Sequence, residues 1–434
     1  MASTAVPARF PSEVESASTN EKIMQLASDL DRILSQSTGK RIVSFGQDRL
    51  DMDIQGCAAV FQRIISKRYG ATTSCLYSRR IRFLQNRQLA AFLSKHLGND
   101  FLHRVEVTCN VAELVASSPA ILVFDTANFG MMSDFDRYVL ENQQFKEGKK
   151  PIVIVDHHKD NNNGKVLWES PLAYDQRFVR DYRFEAGAAT SVMLVLSERA
   201  GIRLNQENAA DEAAAVAAYL GIKKDTENFN QEYLTDIDRQ AISSLESILT
   251  DESRSTIADL ERPQPMHHWK PLCDAVFQKT ARLNSDIAIV GLGVVGDSAL
   301  IPYIASELIA QGKFKTSIVY AIAYEKLNGN LAYMSLVASG RTHSNDLINL
   351  PELFGEVFYV EGNRGRISKG GGRVSADGLC AMAGAEIPLY ELIYTPLPFV
   401  ASVIWPKYAE MFSRRFLDKL PQNAELEGRK IIIL

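Results

Sequence analysis

The sequence is poor in cysteine, and the few it has are badly placed for any shared role. Cys57, Cys75, Cys109, Cys273 and Cys380 are scattered, odd in number and without a CxxC pair. That excludes a zinc ribbon and fits reduced intracellular thiols better than a disulfide framework. Long uncharged apolar runs are missing as well, since none reaches the roughly 18 residues that a membrane span requires. The longest uncharged stretch, Leu392–Pro406, holds three prolines. Positive charge is not in excess: 48 Lys and Arg face 52 Asp and Glu, a net charge of −4. This balance argues against a protein that coats long nucleic acid, although local basic patches are compatible with it. Before Asn20 the chain carries Arg9 against Glu13 and Glu15 and has no apolar core. Residues 1–19 therefore read as a disordered tail rather than a signal peptide. The expected setting is cytoplasmic, with no membrane partner.

What is present is ordinary globular material: 46% hydrophobic and 23% charged residues in a chain of 434, comfortable for two domains. The most informative stretch is PIVIVDHHKD, Pro151–Asp160. Ile152–Val155 reads as a strand buried on both faces, because its apolar run shows no alternation. Asp156, His157 and His158 then emerge at its carboxyl end, where open α/β sheets place their ligands. One acid and two imidazoles can equally cap a strand and bind nothing, so the ends of the other strands decide the matter.

Those ends repeat the pattern. After a helix at Asn20–Ser37, the strand Arg41–Phe45 runs into FGQDRLDMDIQG, with Asp51 and Asp53 just before a helix at Gln55–Lys67. Two carboxylates so close repel unless a cation lies between them, while as solvated helix-start acids they need none. Strands are expected at Thr72–Ser78, Leu102–Val107 and Ala120–Asp125, the last ending in an acid, and another near Val166–Trp168. The arginines of SRRIRFLQNR, Arg79, Arg80, Arg82 and Arg87, read as a solvated face. GAATS, Gly187–Ser191, opens a helix to Ala200; its small residues permit close approach to an anion, and helix packing explains them as well. An alanine-rich helix, Ala209–Leu220, ends at Gly221 and leaves Asp225 in the turn GIKKDTENF. A helix at Thr235–Leu249 closes a first domain, residues 20–250.

Residues 251–270, with Pro263 and Pro265, read as a linker to a second domain, 271–434. His267 and His268 lie inside that linker, follow no buried strand and read as exposed. The second domain opens with the strand Ile287–Val290 and GLGVVG, Gly291–Gly296, which matches the dinucleotide fingerprint by letter. The fingerprint also needs an acid at the end of the next strand, about twenty residues on. Ser317–Ala323 has none until Glu325, so strand, glycine turn and packing helix is the expectation. Leu331–Val337 reads as a strand before SGRTHSND, with Arg341, His343, Asn345 and Asp346. EGNRGRISKGGGR follows, with Arg364, Arg366, Lys369 and Arg373 around Gly370, Gly371 and Gly372. Glycine N–H groups flanked by guanidinium groups match a phosphate.

Taken in order, Asp51, Asp53, Asp125, His157 and Asp225 form a set of hard and borderline ligands suited to Mn²⁺ or Mg²⁺ rather than a thiolate-loving ion. Two such ions about 3.5–4 Å apart clamp a phosphoryl group for in-line attack by a bound hydroxide. The expected fold class is α/β: a mostly parallel sheet of five or more strands flanked by helices, with a second, smaller α/β substrate-binding domain.

At these residues the chain resembles the DHH phosphoesterase superfamily, over nearly its whole length after the tail. DMD at Asp51–Asp53 resembles the first motif, FDT at Phe124–Thr126 the second, DHH at Asp156–His158 the third and GIKKDT the fourth. The second half resembles the family's glycine-rich-loop associated domain. The resemblance, within the nanoRNase, cyclic-dinucleotide phosphodiesterase and RecJ-like branch, implies two Mn²⁺ ions, with Mg²⁺ as substitute. It implies that Asp51 and Asp125 hold one ion, and that Asp53, Asp125, His157 and Asp225 hold the other. It also implies that His158 faces the phosphate, that Asp156 orients its neighbours, and that Arg341, His343, Gly370, Gly371, Gly372 and Arg373 bind substrate. Two positions depart from the family pattern. Gln47 stands where a histidine ligand is usual, so Gln47 or Asp48 is the expected further ligand, and Arg373 stands where histidine ends GGGH. The implied activity is hydrolysis of short phosphodiesters, either oligonucleotides of a few residues or linear and cyclic dinucleotides. Monoesterase action on 3'-phosphoadenosine 5'-phosphate and hydrolysis of polyphosphate are the alternatives, and a nucleotide-binding regulator impaired at Gln47 is the rival from another class. A homodimer is compatible with the sequence.

Overall fold

The computed structural model describes residues 18–46, 50–77, 81, 83–105, 110–126, 138–139, 142, 150–157, 179–261, 269–280, 286–311, 314–327, 330–342, 349–357, 366–369, 381–419 and 432–433. It divides into two compact units, Met1–Ile81 with Gln85–Pro263, and Arg82–Leu84 with Gln264–Leu434. Among the described residues no helix is long and apolar enough to cross a membrane.

The first unit is built on six parallel strands: β1 (Arg41–Phe45), β2 (Thr72–Tyr77), β3 (Leu102–Arg104), β4 (Ile121–Phe124), β5 (Ile152–Asp156) and β6 (Val179–Arg183). Their spatial order is β3-β2-β1-β4-β5-β6. Registers such as Val43 beside Ile121 and Val123 beside Ile154 place β1, β4 and β5 side by side. The order reverses direction between β1 and β4, which makes the carboxyl ends of these strands the switch-point crevice of a doubly wound sheet. β5 is buried throughout. Val153 and Val155 enter the core under the helices of one face, and Ile152 and Ile154 enter the core of the other. This double burial is the physical reason for the unbroken apolar run.

The helices are α1 (Thr19–Leu34), α2 (Met52–Tyr69), α3 (Leu84–Leu97), α4 (Val111–Ser117), α5 (Ala189–Arg199), α6 (Ala209–Asp225), α7 (Asp236–Glu246) and α8 (Asp251–Glu261). Three sequence expectations change here. Helix α6 does not end at Gly221 but continues to Asp225. Gly221 serves a contact instead: a side chain there would meet the Met52 carbonyl at 3.0 Å and the Asp53 Cα at 3.1 Å. The first part of the supposed linker is α8, which buries Ile257 and Leu260 in the same core. Strand β6 was not expected, because its VRDYR sequence carries three charges on an edge. The strand expected near Val166–Trp168 lies outside the described residues.

The second unit holds a mixed sheet of β7 (Ile287–Val295), β8 (Thr316–Leu327), β9 (Asn330–Thr342), β10 (Arg366–Lys369), β11 (Ala381–Pro388) and β12 (Ile432–Ile433), in the order β10-β11-β9-β8-β7-β12. Its helices include α9 (Lys270–Thr280), α10 (Leu300–Ala310), α11 (Leu350–Val357) and α12 (Trp405–Lys419). GLGVVG is not a turn: Gly291–Val295 form the second half of β7 and Gly296 follows it, with a register shift between Gly291 and Val294 and Gly293 at φ +83°. No helix starts on these glycines, so the dinucleotide fingerprint is absent as a structure. Gly291 instead admits the Trp405 ring, which would lie 3.0 Å from an added side-chain carbon. The fold class is thus α/β in both units, with a wholly parallel sheet in the first.

Candidate metal centre

Four residues meet at the carboxyl end of the first sheet. Asp125 follows β4, His157 follows β5, Asp53 sits in the first turn of α2 and Asp225 is the last residue of α6. One ligand atom from each lies within 4.8 Å of all the others. His157 Nε2 is 3.0 Å from Asp125 Oδ1, 3.2 Å from Asp225 Oδ2 and 3.9 Å from Asp53 Oδ2. Three carboxylates and one imidazole at such separations form a donor set for a hard or borderline divalent cation.

The chain holds each member in place by a different device. Asp53 is fully buried, and its carboxylate accepts the N–H groups of Ala189 at 2.8 Å and Thr190 at 3.0 Å. The amino end of α5, where GAATS left anion approach and helix packing both open, receives the chain's own Asp53. Thr190 Oγ1 returns a hydrogen bond to the Asp53 carbonyl at 2.8 Å. Gly56 and Gly221 make this approach feasible, since a side-chain carbon at either would lie 2.6 Å and 3.1 Å from the Thr190 hydroxyl. Asp125 has left-handed backbone, φ +56°, while its N–H still donates to the Val155 carbonyl at 2.9 Å. Such a conformation costs a non-glycine residue on the order of 1–3 kcal/mol and clusters at functional sites. His157 donates from Nδ1 to the Ala186 carbonyl at 3.2 Å, which turns Nε2 toward the acids. Beyond Asp225 the chain makes three consecutive left-handed residues, Glu227, Asn228 and Phe229, with φ of 50°, 61° and 61°. The Asn228 N–H closes back on the Lys223 carbonyl at 2.7 Å, and the Phe229 ring packs edge-on against Tyr219 at 5.0 Å.

Electrostatics set this cluster apart. Burial, then the Asp225 charge, pushes Asp53 up to about 6. Burial and then the negative charge of Asp51 raise Asp125 well above the usual carboxylate range. For His157 burial opposes the charged ring, yet hydrogen bonds to Asp125 and Asp225 prevail and raise it to about 12. The imidazolium thus supplies a positive charge among acids that repel one another.

Other sequence-named residues fall elsewhere. Asp51 is outside the four-residue group and caps α2, its Oδ1 accepting the Ile54 N–H at 2.9 Å. Asp156 is buried at the end of β5 with Oδ2 3.9 Å from Arg183 Nη1 on β6. Arg341, expected beyond the strand Leu331–Val337, lies within β9 and is buried; its guanidinium donates to Ser339 Oγ at 3.0 Å and the Gly340 carbonyl at 2.8 Å. Gln47, Asp48, His158, His343, Gly370, Gly371, Gly372 and Arg373 lie outside the described residues. Sequence reasoning missed Asp238, whose Oδ2 accepts the Gly187 N–H at 2.7 Å. Its signal was present as Thr235-x-x-Asp238, a capping-box pattern.

No family profile matches the sequence. No curated protein matches it either. Among solved structures, the crystal structure of exonuclease RecJ bound to manganese is similar at 15% identity, covering 92% of this chain and 95% of that one, with a TM-score of 0.42. A Bacillus subtilis protein assigned provisionally as a phosphosugar isomerase is similar at 13% identity over 72% and 69% of the two chains, with a TM-score of 0.19. Neither likeness assigns an activity to this chain.

Proposed function

We propose that the chain is a divalent-metal-dependent phosphoesterase of the DHH type, acting on short phosphodiesters such as oligonucleotides of a few residues or dinucleotides. The observation that supports this most is the convergence of Asp53, Asp125, His157 and Asp225 at the switch point of a parallel sheet. The donor set fits Mn²⁺ or Mg²⁺, with Asp125, which senses the charges of Asp51, Asp53 and Asp225, the member that would be shared. When bound, such ions supply Lewis acidity toward a phosphoryl group and lower the pKa of water.

The chain's own residues supply order. The α5 N–H groups fix the Asp53 carboxylate, Ala186 fixes the imidazole, and the left-handed backbone at Asp125 turns its carboxylate out of the strand line. Preorganised groups of this kind need no rearrangement when charge develops. In the second unit, burial lowers Arg341 to about 10, and it forms no ion pair with a carboxylate among the described residues. A buried guanidinium that bonds a hydroxyl and a carbonyl among the described residues fits a phosphate-bearing ligand, which its remaining N–H groups can grip.

The test is a substrate panel with Mn²⁺, resolved by product chromatography. It compares di- to pentanucleotides, linear and cyclic dinucleotides, 3'-phosphoadenosine 5'-phosphate and polyphosphate. Turnover of the short diesters ahead of the others is expected, and metal binding without turnover of any of them would favour a regulator.

A further inference from the structure

The segment Ala186–Thr190 touches the centre at three places. The Ala186 carbonyl accepts from His157 Nδ1, and the Ala189 and Thr190 N–H groups hold Asp53. Between them, Gly187 presses on Thr226, the residue after Asp225: a side-chain carbon at Gly187 would lie 2.6 Å from Thr226 Cγ2 and 2.6 Å from the Tyr233 carbonyl. One short segment therefore sets the relative placement of Asp53, His157 and the end of α6.

What holds that segment is Asp238. Its side chain is fully buried in the first turn of α7. Oδ2 accepts from Thr235 N at 2.8 Å, the return bond of a capping box, and from Thr235 Oγ1 at 2.7 Å. The same oxygen takes a third donor from outside the cap, the Gly187 N–H at 2.7 Å. A capping box needs no such partner. Burying a carboxylate to hold the Gly187 N–H fixes the very peptide group, Ala186–Gly187, whose carbonyl orients the imidazole.

We propose that Asp238 is a positioning residue of the metal centre: through Gly187 it fixes the Ala186 carbonyl and the Ala189–Thr190 N–H pair, and thereby aligns His157 and Asp53 toward a common point. The proposal rests on the metal-centre reading only for its metal arm, because the ring of His157 reports the alignment without metal.

The experiment compares the full-length protein with Asp238→Ala, Gly187→Ala, Asp238→Asn and Asp211→Ala, the last a buried acid remote from the centre. Calorimetric Mn²⁺ titration and the ¹⁵N shift of the His157 ring in metal-free protein are the two readouts. Asp238→Ala and Gly187→Ala are expected to weaken Mn²⁺ roughly 10- to 100-fold, the scale of lost outer-partner support. Both are expected to shift the Nδ1 resonance away from its hydrogen-bonded position. Asp238→Asn keeps an accepting oxygen and is expected to restore both readouts, and Asp211→Ala is expected to move neither. Gly187→Ala crowds the same carboxylate from the segment side, its added carbon lying 2.9 Å from Asp238 Oδ2, and reports on the contact while the α7 cap residue stays in place should Asp238→Ala not fold. Wild-type affinity and ring shift in the folded variants would overturn the proposal, as would equal losses in Asp211→Ala. A ring shift that responds to Asp238→Ala in a protein that binds no Mn²⁺ would leave the positioning role standing and remove the phosphoesterase reading.

Discussion

Asp211 and Asp53 are both fully buried acids in the first turn of a helix, yet they live in opposite company. Asp211 lies 2.6 Å from Arg63 Nε, pairs with Lys67, and accepts the Asn205 N–H at 2.9 Å. The chain neutralises that charge itself and uses it to tie α2 to α6. Asp53 has two backbone donors, but its charged neighbours among the described residues are Asp125, Asp225 and the imidazole of His157. Burial is the same in the two places. The difference is that one site carries its own counter-charges and the other, among the described residues, gathers more acids than bases, an excess that a bound cation would balance.

The sharpest way to break this comparison is Asp125→Ala. Removing the central acid is expected to lower Mn²⁺-dependent hydrolysis by about 10³-fold, the scale of losing one charge-stabilising group, and turnover at the wild-type rate would sink the assignment. The same variant is expected to change urea stability by less than about 1 kcal/mol without metal, because relief of the crowding with Asp51 and Asp53 offsets the lost His157 bond. Asp211→Ala should do the reverse. It strands Arg63 and Lys67 and is expected to cost about 3 kcal/mol by urea titration, while the folded fraction keeps its Mn²⁺ affinity. A third measurement sets the two side by side. Mn²⁺ at about 100 times its Kd is expected to add about 2.7 kcal/mol to the wild type and to Asp211→Ala, and nothing to Asp125→Ala.

The smallest effect is a difference in the sign of pH dependence. At Asp29 burial opposes ionisation, but hydrogen bonds from Tyr182 and Arg32 prevail and hold it below its usual value of 3.8. Its contribution is therefore present above about pH 4 and lost as pH falls through the folded value. Asp29→Asn is expected to cost about 1 kcal/mol at pH 7 and to approach zero in acid, followed by denaturation at stepped pH. Asp53 runs the other way. Its folded value of about 6 lies above the 3.8 of an unfolded chain, so the metal-free protein is expected to lose stability from pH 4 to 6. Asp53→Asn should flatten that slope, and an unchanged slope would contradict the assignment.

Much of this was legible in the chain, and the reasons differ by residue. The unbroken β-branched run of β5 betrays burial on two faces, and acids at strand ends mark the crevice, because both follow from local pattern. Gly221 misled, since a glycine late in a helix looks like a stop; the approach of α2 that requires it is a tertiary fact. GLGVVG misled in the same way, matching a turn motif while the sheet drew it into β7. The grip of α5 on Asp53 needed the fold, because residues 53 and 189 have no sequence relation. The role of Asp238 hid behind an ordinary cap.

The left-handed run Glu227–Phe229 has a kinetic consequence. Left-handed geometry costs an L-residue on the order of 1–2 kcal/mol, least for asparagine, so this turn is a weak closure on a helix whose centre is otherwise deeply packed. Opening it does not require the sheet to melt, and Asp225 stands at its root. The amides of Asn228 and Asn230 are therefore expected to exchange with solvent well before those of Ala214–Leu220, and an ion held at Asp225 would leave at the rate of this local opening rather than at that of global unfolding.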